Sequence, residues 1–240
     1  MPAPAPSLDF PRPLTSVDLV IFTARDGCLQ VLLVQRPQGP DEPFPGLWAL
    51  PGGFVNLDQD ASLEDCARRK LAEKTGLTAP YLEQLGSWGN RDRDPRGWSA
   101  THVYFALLPL AGLQPRKGAN AADVAWHPVQ GEGVGQELAF DHGPILATAL
   151  ARLRGKAEYT SLPVYLLPEE FTLPELQQAY EIVLGRPVDK SGFRTRVLAA
   201  ELVLPIDKQR GGGYRPAQLY RLQAPGELVV FPRTFSPRDK

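Results

Sequence analysis

The sequence has little of what usually classifies a chain at once. Its 240 residues include only two cysteines, Cys28 and Cys66. Two thiols make neither a disulfide framework nor a metal-ligand spacing, so a stapled secreted scaffold and a zinc module are excluded. A reducing cytoplasm is the expected compartment. Long apolar runs are missing too. The nearest, Val103 to Leu113, is broken by Pro109 and Gly112, well short of the roughly 20 apolar residues that span a bilayer. Met1 to Pro13 is rich in Pro and Ala but has no apolar core, so it does not read as a signal peptide. Net charge is close to nil, with 26 Lys and Arg against 27 Asp and Glu. That balance hides an asymmetry. Residues 1–150 hold 12 basic and 17 acidic side chains, a net −5, and residues 151–240 hold 14 and 10, a net +4. An acidic half followed by a basic half suggests two units with different partners. Apolar content of 43% is ordinary for a globular protein, and the length suits one large domain or two small ones.

Residues 1–13 read as a loose tail. Leu14 to Thr23 and Cys28 to Gln35 are β-rich runs joined by Arg25-Asp26-Gly27, a hairpin signal. A polar, proline-rich loop, Arg36 to Pro45, leads to a short strand, Leu47 to Leu50, and then to Gly52-Gly53. A helix follows over 62–75. Ser62 caps it, Gly76 stops it, and Leu63, Cys66, Ala67 and Leu71 mark its buried face. Lys70, Glu73 and Lys74 share another face at i, i+3 and i+4. Strands are expected at Tyr81 to Trp88, Ala100 to Pro109 and Val124 to Pro128. Asp141 is the expected cap of a helix running to about Arg154, with Ile145, Leu146, Leu150 and Leu153 inward.

The stretch from Pro51 to Leu77 resembles the Nudix box. Gly53, Arg69, Leu71, Glu73, Gly76 and Leu77 match that family's pattern. The resemblance implies an α/β/α sandwich over residues 14–155. It also implies a pocket for a nucleoside diphosphate linked to another group. Three departures stand out. The loop before the helix is two residues longer than usual, Ala61 replaces one glutamate, and Lys70 and Lys74 replace two more. In the family those glutamates hold Mg²⁺, which takes oxygen ligands. An ammonium group cannot ligate a hard cation, and it raises the local potential against one. Asp58, Asp60 and Glu64 are the nearest substitute carboxylates, though nothing in the sequence aims them.

The loop Arg91-Asp92-Arg93-Asp94-Pro95-Arg96-Gly97 is either a solvated turn or part of the pocket. Nudix relatives that handle ADP-ribose carry a similar Asp-Pro-Arg-Gly segment, and a guanidinium fork suits a pyrophosphate. Trp48, Phe54, Trp88 and Trp98 are either stacking partners for an adenine or ordinary core and rim aromatics.

Residues 156–240 match no Nudix element. Ala157 to Leu167 reads as extended. Phe171-Thr172-Leu173-Pro174-Glu175-Leu176 carries a capping box and a staple at a helix start. Leu173, Leu176, Tyr180 and Val183 form its buried stripe, and Gly185 and Pro187 end it. A second helix spans about Lys190 to Ala200. Phe193, Val197 and Leu198 are its expected inner face, and Lys190, Ser191, Arg194 and Arg196 its outer one. A strand from Leu202 to Pro205, a tip from Lys208 to Arg215 and a returning strand, Gln218 to Leu222, complete a hairpin. Helix, turn, basic helix, basic glycine hairpin is the layout of a winged helix-turn-helix. Such a helix fits the major groove, and Lys208, Arg210, Gly212, Tyr214 and Arg215 would meet phosphates. The plainer alternative is a solvated surface helix and an exposed loop.

A degenerate Nudix box joined to a winged helix over 156–240 resembles the NrtR family of Nudix-related transcriptional regulators. Arg93-Asp94-Pro95-Arg96-Gly97, Leu138-Ala139-Phe140-Asp141-His142, the Phe171 to Leu176 helix start and Arg215-Pro216-Ala217 all carry the likeness. It implies a homodimeric repressor of NAD-metabolism genes that binds a double-stranded DNA operator and senses ADP-ribose or a related nucleotide. His142 is either a pocket residue or a polar side chain in the first turn of its helix. The expected nucleotide-binding residues are Arg36, Gly52, Gly53, Phe54, Arg69, Glu73, Arg91, Asp94 and Arg96. No catalytic residue, metal ligand or cofactor is assigned. The alternatives are a Mg²⁺-dependent ADP-ribose pyrophosphatase with an accessory domain, and a nucleotide sensor whose basic domain binds protein.

Overall fold

The computed structural model describes residues 11–110, 113, 115–117, 121–211 and 216–235. Most of the expected N-terminal tail lies outside that range, and residues 11–13 are exposed. Strand β1 (Leu14–Arg25) turns through Asp26 (φ 52°) and Gly27 (φ 75°) into β2 (Cys28–Gln35). Two left-handed residues make the primed turn whose twist suits an antiparallel pair. The sheet also contains β3 (Trp48–Ala49), β4 (Gly52–Phe54), β5 (Tyr81–Asn90), β6 (Ser99–Leu107) and β7 (Asp123–Pro128). Its order is β3-β2-β1-β6-β5, with β4 on β1 and β7 on β2. β1 and β6 run parallel.

The pleat sends alternate residues of β1 to opposite faces. Val17, Leu19 and Ile21 cluster with Cys66, Ala67 and Leu71 of helix α1 (Leu63–Thr75). Val20 and Phe22 cluster with Ile145, Leu146 and Leu150 of helix α2 (His142–Ala157) on the other side. Ser62 accepts the Asp65 amide at 3.1 Å to cap α1, and Gly76 (φ 72°) ends it. Asp141 sits at the start of α2 but makes no cap bond, because its carboxylate is held elsewhere. The helix also runs on past Arg154.

The segment expected to be extended instead forms a 3₁₀ turn, Leu162–Leu166, with every residue buried. Pro163 fixes φ and has no N–H for a ladder. Val164 donates to the Ser161 carbonyl and Leu167 to the Val164 carbonyl, each at 3.0 Å. Packing overrides a β-prone composition here.

Then come β8 (Phe171–Thr172), α3 (Leu173–Leu184), α4 (Lys190–Ala199), β9 (Val203–Arg210) and β10 (Ala217–Leu222). The three strands form a second sheet, β8-β10-β9. The Thr172–Glu175 capping box opens α3, and Gly185 (φ 67°) closes it. Asp189 caps α4 by accepting the Gly192 amide at 2.7 Å. Leu198, expected inward, is 48% exposed. At 3.6 residues per turn it falls in line with Lys190 and Arg194. Lys208 to Arg210, expected at the wing tip, belong to β9. Gly212 to Arg215 lie outside the described residues. No helix among the described residues is long and apolar enough to cross a membrane.

The acidic and basic halves share one core. A single cluster of buried side chains includes Phe22 and Val31 of the sheet, Leu150 of α2, Tyr165 of the 3₁₀ turn, Leu176 and Tyr180 of α3, and Phe193 of α4. α3 touches α2 and β2, and the 3₁₀ turn touches β1 and β6. The second layer of the α/β/α sandwich is therefore built partly from the C-terminal half. The stretch leading to Phe235 returns over that half, and the Phe235 ring packs 4.9 Å from Tyr180 and 5.7 Å from Phe193.

Candidate functional site

A cleft of about 700 Å³ opens where β1, β4, α1 and the loop after β5 meet the start of α2. Gly52 pairs with Asp18 across the β1–β4 ladder. A Cβ there would fall 2.0 Å from the Asp18 carboxylate and 2.6 Å from the Val17 carbonyl, so only glycine lets the strands close. At Gly53 an added Cβ would sit 3.2 Å from the Lys70 amine, which rests against that backbone.

The floor is a buried charge network. Arg93 forks onto Asp141, donating to its two oxygens at 3.0 and 2.8 Å, and donates to the Ser99 hydroxyl at 3.2 Å. Its guanidinium also stands 3.7 Å from Asp18. His142 Nδ1 accepts the Leu50 amide at 2.9 Å. That bond requires a lone pair on Nδ1, so the ring proton sits on Nε2, 3.6 Å from the Asp18 carboxylate. Burial alone would raise the Asp18 pKa. His142, with the Thr101 hydroxyl and Arg93, more than offsets it and holds the group below its usual value.

The walls carry further cations. Arg36 pairs with Glu42 at 2.6 Å and lies 5.0 Å over the Phe140 ring. Arg96 forks onto Asp94 at 3.0 and 2.8 Å and lies 5.3 Å over Phe54. Phe140 holds φ at 56°, a left-handed conformation rare for a bulky residue and a local strain at the cleft. Lys70, Glu73 and Lys74 of α1 close the remaining side.

A second surface lies in the C-terminal half. Lys190, Ser191 and Arg194 are exposed along α4. Arg196, expected with them, turns away; it donates to the Thr234 carbonyl at 2.8 Å and covers the Phe235 ring at 4.2 Å. On β9, Lys208 pairs with Glu170 at 2.6 Å, and Arg210 pairs with Glu175.

Residues 12–149 match the family model for the NUDIX domain, and residues 163–222 match that for the NrtR DNA-binding winged helix domain. The chain is 46% identical over 225 residues to the "ADPR responsive transcriptional repressor NtrR" of Acinetobacter baylyi, covering 94% of this chain and 88% of the relative. The chain belongs to the NrtR family. Its fold is similar to that of Shewanella oneidensis NrtR complexed with a 27mer DNA, with a TM-score of 0.82, 44% identity, and 92% and 98% of the two chains covered. The NUDIX domain of the same Shewanella protein complexed with ADP ribose is similar at a TM-score of 0.53 and 46% identity, over 60% of this chain and 90% of that one.

In this NrtR-family chain the cleft brings together Arg36, Gly52, Gly53, Phe54, Glu73, Asp94 and Arg96 from the set named in the sequence. Two expected residues are absent from its lining. Arg69 turns to Asp60, forking at 2.7 and 2.6 Å, and to Glu73 at 2.9 Å. Arg91 is exposed, because the Asn90 side chain accepts the Asp92 and Arg93 amides and folds the loop so that Arg93 points inward. Of the four aromatics weighed for stacking, only Phe54 lines the cleft. Trp48 packs on His127 at 4.4 Å. Asp18, Arg93, Ser99, Phe140 and His142 also line it. One sign of Asp18 was available, a lone carboxylate inside an apolar strand.

The Nudix fold implies a divalent cation on α1, and the donors present do not fit one. Glu73 is already shared by Arg69 and by Lys70 at 3.2 Å. Asp60 is locked by Arg69, whose hydrogen bonds hold its pKa well below the usual value, and Glu64 pairs with Arg68 at 2.6 Å. Among the described residues no group of three His, Cys, Asp or Glu side chains is placed to hold a metal.

Proposed function

We propose that this protein is a cytoplasmic, homodimeric repressor of NAD-metabolism genes, and that ADP-ribose or a related nucleotide bound in the cleft lowers its affinity for the operator. Lys190, Ser191 and Arg194 on α4 read the major groove. Lys208 and Arg210, with Gly212, Tyr214 and Arg215 of the wing, meet phosphates. In a dimer two such helices would sit about 34 Å apart, one turn of the duplex.

One observation carries the reading. The cleft floor grips the first turn of α2 through the Arg93–Asp141 fork, and α2 packs directly on α3 of the winged helix. A ligand that repositions Arg93 acts on α2, and through α2 on where the winged helix stands relative to its dimer mate. Because the winged helix shares the protomer's core, the change is expressed between protomers. A tenfold loss of operator affinity needs about 1.4 kcal/mol of differential binding between the two dimer geometries.

The test is fluorescence anisotropy with duplexes from upstream of its own and neighbouring genes, over a salt series, with and without ADP-ribose. Sequence-selective binding that weakens on adding ADP-ribose is expected. Equal binding to random duplex, or indifference to ADP-ribose, would overturn the proposal.

A further inference from the structure

Most cations of the cleft already have a carboxylate partner. Arg36 has Glu42, Arg96 has Asp94, and Arg93 has Asp141 and Asp18. Lys70 has half of Glu73, at 3.2 Å, and shares it with Arg69. The Lys74 side chain makes no hydrogen bond or ion pair with any described residue, although it is partly buried in the cleft wall. It stands one helical turn from Lys70, on the same face. Burial and the neighbouring Lys70 ammonium push the Lys74 pKa down, and the nearby Glu73 carboxylate only partly opposes them. A partly desolvated amine beside a second one is unfavourable, and an arriving anion relieves both the desolvation and the repulsion.

We infer that Lys70 and Lys74 form a diphosphate subsite, in which two fixed ammonium groups replace the divalent cation of a Nudix hydrolase, so that the nucleotide binds without metal. The inference rests on the cleft being the nucleotide site. The chemistry separates binding from turnover. Ammonium groups give charge-assisted hydrogen bonds to phosphate oxygens. They do not generate the metal-bound hydroxide that would attack the phosphorus. Glycine at 53 lets the Lys70 amine lie close against the backbone at the cleft wall.

Isothermal titration calorimetry of the full chain with ADP-ribose, in EDTA and in excess Mg²⁺, tests this. The wild type should bind equally in both buffers. Lys74→Met should weaken binding about tenfold or more while melting like the wild type. The double variant Lys70→Glu with Lys74→Glu should bind poorly in EDTA and recover in Mg²⁺. Loss of wild-type binding in EDTA, or full affinity in both variants, would overturn the inference. Inorganic pyrophosphate keeps the two readings apart. If the wild type binds pyrophosphate but not ADP-ribose, and Lys74→Met binds neither, the subsite stands and the nucleotide-sensing proposal falls. If neither ligand binds the wild type, both fall.

Discussion

Phe193→Ala tests whether the two halves are one cooperative unit. Phe193 is 1% exposed, and its ring lies 5.2 Å from Tyr180 and 5.7 Å from Phe235, all within the C-terminal half. Truncating such a ring costs about 3–5 kcal/mol. Were all 240 residues to unfold together, an entropy of about 2.1 cal/mol/K per residue would give ~0.5 kcal/mol/K, and Tm would fall by roughly 6–10 °C. The four tryptophans, Trp48, Trp88, Trp98 and Trp126, all lie in the N-terminal half, so their fluorescence reports that half alone. Melts of the wild type and the variant would be followed by tryptophan fluorescence and by far-ultraviolet circular dichroism. Protein concentration is held fixed, since association shifts Tm. The two signals should coincide in each protein and move together on mutation. A fluorescence melt that stays at the wild-type temperature, while dichroism gains an early phase, would refute the shared core as a cooperative unit.

Two further outcomes can be measured. Glu170→Gln frees Lys208 from its 2.6 Å ion pair, so binding to all duplexes should tighten and its salt slope steepen, whereas Lys208→Ala should lower the slope by about 0.9; identical slopes in anisotropy titrations would remove β9 from the DNA face. Asp18 has a folded pKa below its usual 3.8, so its ionised form stabilises the fold above that pH, and the benefit is lost as pH falls through the lowered folded value. Urea titrations of wild type and Asp18→Asn should therefore differ most near neutral pH and converge in acid. A gap that does not change with pH would sink this account.

Features that follow from local chemistry were readable in the sequence. Ser62 and Gly76 bound α1, Asp26-Gly27 makes the first hairpin, and Thr172 with Glu175 opens α3, because each involves residues a few positions apart. Helical spacing likewise puts Lys70, Glu73 and Lys74 on one face. The expectation for Leu198 failed because a single apolar residue on a short helix does not fix which face it shares.

By itself, then, the order of residues determined the box helix, the winged-helix layout and the replacement of metal-binding carboxylates by amines, all set within one or two turns of chain. Tertiary structure alone decided the cleft floor. The Arg93–Asp141 fork joins residues 48 apart, and the His142–Leu50 bond joins residues 92 apart. Such contacts depend on sheet register and helix docking, which no local pattern encodes. The same physics decided that the 3₁₀ turn and α3 would complete a sandwich layer of the N-terminal half. Buried apolar surface has no directional preference, so which side chains it joins emerges only when the elements are packed.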